Sequence, residues 1–255
     1  MTLERPTIVI FDMDGTTVRH INLMLLHILE KLDDFGYLIS RFFRWLFRRG
    51  AQGPIIPDDE DFLNRRKPRL FVHRAIHTFR RKEVDQIVEP CPGIYTVLDF
   101  LKKQGVPMAL ASNGLGKGYG DDILKKFDLE GYFGATIFRE DVSKSKPNPE
   151  GLLLALNQMG AQVSKGDVIW HIGDRHKDVK AALAANEHLP AKVVPVAYGL
   201  NAATAVLEKN LSPDHIIMSY TDMHDRLKDL FRDAPGKGNT SEEVPKPKIK
   251  KKKSA

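Results

Sequence analysis

The sequence predicts an α/β fold: a doubly wound parallel sheet that is interrupted once by an inserted helical domain. Short apolar runs without polar alternation indicate strands that are covered on both faces, as in a parallel sheet. Helical patterns follow most of these runs, and strands that alternate with helices are typical of doubly wound sheets. A helical stretch between the first and second strands, roughly residues 20–88, is too long for one crossover. We therefore interpret it as an insertion.

The predicted elements alternate along the chain. The strands are predicted at residues 7–11, 107–111, 135–138, 167–172, 193–197 and 215–218. After the long helical stretch, the helices are predicted at residues 93–104, 121–127, 149–159, 176–185 and 221–231. Gly105 and Gly160 should end two of these helices, because glycine readily adopts the left-handed conformation found just past a helix C-terminus.

These boundaries divide the chain into three parts. We expect residues 1–18 and 89–234 to form the sheet domain, residues 19–88 to form a helical cap domain, and residues 235–255 to form a tail. The tail carries seven lysines and two glutamates, a net charge of +5, whereas the whole chain has a formal net charge of +6. A segment of this composition cannot bury a core, so we expect it to be disordered.

Composition excludes several protein classes. A chain of 255 residues, 42% of them hydrophobic, can bury a proper core and is not typical of a disordered protein. Its apolar runs are all shorter than the ~18 residues that a membrane-spanning helix needs. The polar N-terminus shows no secretory signal, and the single cysteine, Cys91, cannot form an intrachain disulfide. We therefore expect a cytoplasmic protein.

Pairs of aspartates stand where two predicted strands end, the place at which open parallel sheets bind ligands. Asp12 and Asp14 follow the first strand, and Asp174 and Asp178 span the turn from a later strand into a helix. One such aspartate is usually a helix cap, but two pairs at separate strand ends are not explained in that way. A divalent cation would relieve the repulsion between them, and oxygen ligands favour Mg²⁺ over zinc. We predict a Mg²⁺ site.

Further polar residues near strand ends complete the set that phosphoryl transfer needs: a nucleophile, a metal, and donors to the phosphate oxygens. Asp12 comes first off its strand and is the candidate nucleophile, which would form an acyl phosphate. Asp14 suits the role of general acid and base. Ser112 and the backbone N–H groups of Asn113 and its neighbour can donate to phosphate oxygens, and Lys146 can add a positive charge. We predict catalytic roles for Asp12, Asp14 and Lys146.

In this order, the motifs resemble those of the haloacid dehalogenase-like (HAD) phosphohydrolases, over residues 6–232. The matching motifs are FDMDGT at residues 11–16, Ser112-Asn113, Lys146-Pro147-x-Pro149-Glu150, and Gly173-Asp174-x-x-x-Asp178. The resemblance implies a Rossmann-like core. It also implies that Mg²⁺ is bound by Asp12, by the backbone carbonyl of Asp14 and by Asp174, and that Asp178 orients the shell of the metal.

The resemblance extends to the insertion, which looks like the helical cap of the phosphoglycolate-phosphatase-like branch. Dehalogenases of this superfamily lack the second aspartate of the first motif, so Asp14 favours a phosphatase. The implied activity is Mg²⁺-dependent hydrolysis of a small phosphorylated metabolite, such as phosphoglycolate, through an aspartyl phosphate. Two segments depart from the family pattern. Arg19-His20 stands where many relatives have an acidic residue and a serine, and Arg175-His176-Lys177 is unusually basic.

Two other functions stay open at this stage. A phosphomutase would use the same core but would release an isomeric phosphate ester instead of free phosphate. A protein that binds an anionic membrane or nucleic acid would depend on the lysine-rich tail and on residues 41–82 of the cap, where twelve basic residues outnumber four acidic ones. The expected ligand is a small phosphorylated substrate, and no obligatory protein partner is evident.

Overall fold

The structure is a computed structural model and describes residues 3–21, 84–114 and 116–232. Its strands are β1 (Ile8–Phe11), β2 (Val18–His20), β3 (Val88–Pro90), β4 (Met108–Ala111), β5 (Ala135–Ile137), β6 (Val168–Gly173), β7 (Lys192–Tyr198) and β8 (Ile216–Ile217). Six of them form a sheet in the order β5-β4-β1-β6-β7-β8, in which all neighbours are parallel. Strand β1 therefore lies near the middle of the sheet.

Helices cover both faces of this sheet. They are α1 (Ile94–Lys103), α2 (Lys117–Lys126), α3 (Glu150–Gln158), α4 (His176–Ala185), α5 (Leu200–Glu208) and α6 (Tyr220–Arg232). Apolar residues of α1, α2 and α6 belong to one core cluster, and those of α3 and α4 belong to another. The predicted doubly wound α/β fold with a Rossmann-like sheet is confirmed.

Strand β1 explains why the apolar runs in this sequence do not alternate with polar residues. Val9 and Phe11 pack into the cluster that contains α1 and α6, whereas Ile8 and Ile10 pack into the cluster that contains α3 and α4. All four side chains are buried. A strand of a parallel sheet that is covered on both faces is apolar along most of its length, and β1 is apolar at every position.

A short antiparallel ribbon separates the sheet domain from the predicted cap. Strand β2 pairs with β3, with Val18 opposite Pro90 and His20 opposite Val88. The predicted helical region, roughly His20 to Val88, overlaps the ribbon by one residue at each end, because His20 ends β2 and Val88 begins β3. Residues 22–83 of the predicted cap (19–88) lie outside the described residues, as does the tail at 235–255. The division into these domains stays a prediction.

Two helices differ from the predicted elements. Helix α5 was not predicted, although Ala202, Ala205 and Val206 have helical spacing and are buried. Helix α2 begins at Lys117, four residues before the predicted start, because Gly120 is packed within it instead of forming a loop. A Cβ at Gly120 would lie 2.0 Å from Cε1 of Phe138. The glycine therefore permits close packing of α2 against the ring of Phe138. Among the described helices, none is long and apolar enough to cross a membrane.

Candidate active site

The predicted site residues lie near one edge of the sheet, because neighbouring parallel strands end on the same side. Asp12 directly follows β1, Ser112 and Asn113 directly follow β4, and Asp174 directly follows β6. Strands β4 and β6 are the two neighbours of β1, and Phe11 pairs with both Leu110 and Ile172. Three chain segments therefore leave the sheet side by side, with Asp12 on the middle one.

The backbone around Asp12 is held on two sides. Its N–H donates to the carbonyl of Ile172 on β6 at 2.8 Å, which extends the sheet by one residue. Its carbonyl accepts a hydrogen bond from Oγ1 of Thr17 at 2.7 Å, and both groups are buried. These two hydrogen bonds hold the backbone of Asp12 against β6 and against the loop from β1 to β2. They place its carboxylate at the edge of the sheet.

Lys146 joins two of the predicted carboxylates. It lies in the loop between β5 and α3, and its Nζ is 2.6 Å from Oδ1 of Asp12 and 2.7 Å from Oδ1 of Asp178. All three side chains are less than 10% exposed. Two lysines, Lys144 and Lys146, lie near this motif; Lys146 was predicted because it directly precedes Pro147, and Lys146 is the lysine that contacts the carboxylates.

Asp178 is positioned by the start of α4. Its Oδ2 accepts the backbone N–H of Arg175 at 3.1 Å, as in a helix N-terminal cap. The ammonium of Lys146 holds the pKa of Asp178 well below its usual range despite burial, and the pKa of Lys146 is raised by the two carboxylates. Asp178 and Lys146 are therefore both charged at neutral pH.

His171 was not predicted as part of the site. It lies in β6, is 1% exposed, and its Nδ1 is 3.1 Å from the carbonyl oxygen of Ile10. A carbonyl can only accept, so Nδ1 carries a proton, and Nε2 lies 3.4 Å from Oδ1 of Asp178. Burial and the charge of Lys146 lower the pKa of His171. A histidine in an otherwise apolar strand was the signal in the sequence that could have identified it.

Asp14 lies nearer to the surface. Its side chain is 20% exposed, and its Oδ1 is 3.1 Å from Nε2 of His20 on β2. The other oxygen faces the loop after β4, since a Cβ built on Gly114 would lie 2.6 Å from Oδ2 of Asp14. The tight turn after Asp14 uses Gly15 with φ of 79°, which few other residues adopt without strain. Asp14 is thus placed between β2 and the Ser112-Asn113 segment.

The final helix supports the same loop. The hydroxyl of Tyr220, at the start of α6, donates to the carbonyl oxygen of Thr16 at 2.8 Å, and both groups are buried. Tyr220 also stacks on Tyr198 at the end of β7, with ring centroids 4.7 Å apart. The turn that carries Asp14 is therefore tied to a helix from the far end of the domain.

Three carboxylates are close enough to share a cation. Asp12, Asp174 and Asp178 each offer an oxygen within 4.8 Å of the other two. Asp174 Oδ1 is buried and has no hydrogen-bond partner among the described residues. A Cβ at Gly15 would lie 2.3 Å from Oδ2 of Asp174, so only glycine leaves room there. An oxygen-only donor set with an orphaned acceptor fits a hard divalent cation.

The electrostatics of these carboxylates also favour a cation. Burial raises the pKa of Asp12 to about 8, an effect that Lys146 opposes. Burial likewise raises the pKa of Asp174 to about 6. A divalent ion would favour the ionised forms, because it supplies the opposite charge that solvent no longer provides. Asp12 and Asp174 are thus fitted to bind a metal.

Ser112 and Asn113 stand beside this cluster. Ser112 is 2% exposed, and its backbone N–H donates to the carbonyl of Ile137 at 2.8 Å, which fixes the start of the loop. Asn113 follows it at the surface, half-buried. The structure therefore brings together Asp12, Lys146, Asp174 and Asp178, with Asp14 and the two donors alongside. Their individual roles stay predictions.

Known proteins match the chain over most of its length. The model of the haloacid dehalogenase-like hydrolases matches residues 6–186. A pyrophosphatase, PpaX, from Halalkalibacterium halodurans is 28% identical over 220 residues, covering 85% of this chain and 94% of the relative. Phosphoglycolate phosphatase 1 from Pseudomonas aeruginosa is 27% identical and covers 89% of this chain and 79% of the relative.

A solved structure shares the fold. The crystal structure of a HAD-superfamily hydrolase from Ehrlichia chaffeensis aligns with a TM-score of 0.55 and 21% identity, over 90% of this chain and all of that one. HAD hydrolases generally use a divalent metal, and the aspartate cluster described above is available for one. The family match covers more than two thirds of the chain and includes the segments that carry Asp12, Lys146 and Asp174. The chain belongs to the haloacid dehalogenase-like hydrolase family.

Proposed function

We propose that this protein is a Mg²⁺-dependent phosphatase that hydrolyses a small phosphorylated metabolite through an aspartyl phosphate on Asp12. The observation that carries the proposal is the buried contact of Lys146 with both Asp12 and Asp178, at 2.6 and 2.7 Å. An ammonium on the Asp12 carboxylate favours the anion that a nucleophile requires, in spite of the burial that raises its pKa.

The first half of the reaction transfers the phosphoryl group to the protein. A carboxylate oxygen of Asp12 attacks phosphorus, and the bond from phosphorus to the alcohol oxygen breaks with its electron pair on that oxygen. Asp14, as the carboxylic acid, gives its proton to the departing alkoxide. The products of this half-reaction are the free alcohol, a phosphoaspartate at residue 12 and the carboxylate of Asp14.

The second half releases phosphate. Water attacks phosphorus and gives a proton to Asp14, while the bond from phosphorus to the Asp12 oxygen breaks and restores the carboxylate. Asp14 thereby regains the proton that it donated in the first half. Its partial exposure, 20% of the side chain, suits a group that must meet both the departing alcohol and the incoming water.

Other residues would hold the phosphate. Ser112 and the N–H groups of Asn113 and Gly114 follow the strand next to β1, within the same edge of the sheet. Lys146 adds a positive charge beside the nucleophile, which offsets charge on the transferring group. Asp178 would hold Lys146 in place through the 2.7 Å contact.

Asp12, Asp174 and the backbone carbonyl of Asp14 would hold the Mg²⁺, and Asp178 would orient its surroundings. The ion would lower the charge of the phosphate and so favour attack by an anionic carboxylate. The fit rests on the close approach of the three carboxylates and on the buried Oδ1 of Asp174, which accepts no hydrogen bond within the described residues and has only the guanidinium of Arg175 at 3.9 Å. Oxygen ligands favour Mg²⁺ over softer metals.

The names of the relatives support a proposal for the substrate class. Relatives that match most of the chain are named pyrophosphatase and phosphoglycolate phosphatase, so small phosphate compounds of both kinds are candidates. We infer that residues 19–88, as a helical cap, choose between them by closing over the site. The lysine-rich tail at 235–255 could add weak contacts with anionic surfaces, and co-sedimentation with and without it would test that role.

The experiment is a panel of phosphate compounds that includes 2-phosphoglycolate, sugar phosphates and inorganic pyrophosphate. We expect phosphate release from at least one of them with Mg²⁺, and none with EDTA. Equal release in EDTA would refute the metal requirement. Analysis of the organic product separates hydrolysis from mutase activity, since an isomeric phosphate ester in place of free phosphate would overturn the proposal.

A further inference from the structure

His20 makes a contact with the site that its position in the sequence did not reveal. It is the last residue of β2, and its Nε2 lies 3.1 Å from Oδ1 of Asp14. Both side chains are mostly buried, with exposed fractions of 17% and 20%. A hydrogen bond that is largely removed from solvent restricts the orientation of both groups more firmly than one at the surface.

The contact assigns different surroundings to the two oxygens of Asp14. Oδ1 is on the side of His20, whereas Oδ2 faces the backbone of Gly114, at the start of the loop that follows β4. The phosphate donors Ser112 and Asn113 precede Gly114 directly. Of the two oxygens, Oδ2 is therefore the one directed toward the place where a phosphate ester would lie.

The position of His20 itself is fixed by the ribbon. His20 is opposite Val88 on β3, and the next residue, Ile21, donates its N–H to the carbonyl of Ile87 at 3.0 Å. The neighbouring pair on the ribbon, Arg19 and Glu89, forms an exposed ion pair with Nη2 2.7 Å from Oε1. His20 thus approaches the site while Arg19 pairs across the ribbon.

We propose that His20 is a positioning residue for proton transfer: it holds Oδ1 of Asp14 so that Oδ2 is presented to the oxygen of the leaving group. The inference rests on the proposed phosphatase function. His20 touches neither the substrate nor the reacting phosphorus, and it acts only through the carboxyl group of Asp14. Its effect should therefore depend on how much the leaving group needs a proton.

This dependence separates positioning from a general structural role. An alkoxide leaves poorly unless it is protonated, whereas p-nitrophenolate is stable enough to leave without help. The parameter to compare is kcat/KM, which covers the steps up to release of the alcohol and is not affected by slow hydrolysis of the phosphoaspartate. A variant that is damaged in folding or in phosphate binding would lose both substrates to the same extent.

The test compares His20→Ala with wild type on p-nitrophenyl phosphate and on 2-phosphoglycolate, or on whichever alkyl phosphate the panel finds to be hydrolysed fastest. We expect kcat/KM to fall roughly tenfold to hundredfold on the alkyl phosphate, since general acid–base catalysis contributes about 10²–10⁴-fold when intact. On p-nitrophenyl phosphate it should fall by less than about threefold. His20→Gln, whose amide nitrogen can reach Oδ1, should recover part of the loss.

Arg19→Ala is the matched control, because it removes the adjacent side chain of the same strand and its ion pair with Glu89. Its kcat/KM should match wild type on both substrates, and its melting temperature should be close to that of His20→Ala. Equal losses on both substrates in His20→Ala, or no loss on either, would overturn the inference. A wild-type protein that hydrolyses no compound of the panel would refute the phosphatase proposal, and the inference with it, before any variant is made.

Discussion

The candidate active site has two halves that differ in solvent exposure and in the partners of their charges. The inner group consists of Asp12, Lys146 and Asp178, whose side chains are between 3% and 9% exposed. The outer group consists of Asp14, His20 and Asp174, whose side chains are between 17% and 20% exposed. In the inner group Lys146 contacts both carboxyl groups, at 2.6 and 2.7 Å, whereas Asp174 Oδ1 lies 3.9 Å from Nε of Arg175 and has no hydrogen-bond partner among the described residues.

The difference in exposure indicates that the two groups have different roles in the reaction. Paired charges that are shielded from water are held in one arrangement, which suits a nucleophile and its counter-ion. Groups at the rim can exchange protons and ligands with solvent during each turnover. We therefore expect changes in the inner group to affect both stability and reaction, and changes in the outer group to affect reaction more than stability.

The largest expected effect comes from Asp12→Asn in the inner group. The amide keeps the size of the side chain but cannot attack phosphorus, so kcat should fall by about 10⁴-fold or more, the scale seen when a nucleophile is removed. Phosphate release by the purified variant measures this, and circular dichroism should show an unchanged fold. Normal hydrolysis would refute the role of Asp12.

Lys146→Met should have the next largest effect and should lower stability as well as activity. It leaves Asp12 and Asp178 buried without their cation, and breaking a buried pair in this way typically costs about 3–5 kcal/mol. Urea denaturation in EDTA gives the change in the free energy of unfolding. The control is Lys192→Met, which removes an exposed pair with Glu4 and should cost less than about 1 kcal/mol. Equal losses in the two variants would contradict the comparison.

A divalent metal ion should bind to one residue of each group, Asp12 of the inner group and Asp174 of the outer group. At about 100 times its dissociation constant, Mg²⁺ should stabilise the fold by about 2.7 kcal/mol. Thermal unfolding with Mg²⁺ and with EDTA gives this increment. Asp174→Asn should reduce it, and an undiminished increment in that variant would place the ion elsewhere.

The increase in the free energy of unfolding that metal provides should also depend on pH. Burial raises the pKa of Asp12 to about 8 and that of Asp174 to about 6, so without metal the folded protein retains protons that the unfolded chain releases. The contribution of these groups to stability therefore falls as pH rises through that window, from about pH 4 to about pH 8. Metal displaces these protons, so its stabilisation should grow from about pH 5 to about pH 8. A constant increment would contradict this coupling.

The smallest expected effect is that of Gly114→Ala, next to Asp14 of the outer group. The new Cβ would lie 2.6 Å from Oδ2 of Asp14, and the carboxylate can move away at little cost in stability. We expect kcat/KM to fall about tenfold, because a displacement of about 1 Å at a reacting group can cost up to hundredfold. Gly118→Ala in α2 is the control, since its Cβ would meet nothing within 4 Å. Similar activity in the two variants would contradict the idea that the reaction depends on the position of the Asp14 carboxyl group.

The sequence predicted the parts of the site that depend on strand ends. Asp12, Ser112 and Asp174 each directly follow an apolar run, and neighbouring parallel strands end at one edge, so their proximity could be expected before any coordinates. The choice of Lys146 over Lys144 followed from the proline after it. In these cases the local pattern and the topology together determine where the side chain lies.

Other contacts depend on structure that has no local signal. His20 lies six residues after Asp14; hydrogen bonds from Thr17 and Val18 to the carbonyl of Met13 fold the chain back, and β2 also pairs with β3, about seventy residues later in the chain. The helical interpretation of that stretch concealed the ribbon. His171 was overlooked because its strand was read as a continuous apolar run, yet the buried imidazole lies between Ile10 and Asp178. Both contacts depend on how the chain folds back after a strand, together with strand pairing, and the residue pattern of a short window does not determine either.

The hydrogen bond from Tyr220 to Thr16 spans 204 positions of the chain. During synthesis the turn that carries Asp14 leaves the ribosome early, but its support arrives only with the last helix. Nascent or proteolysed chains that end before residue 220 would hold all the acidic residues of the site and still lack the clamp on that turn. Activity should therefore appear late in translation, and a cut just before Tyr220 should abolish activity while most of the sheet is intact.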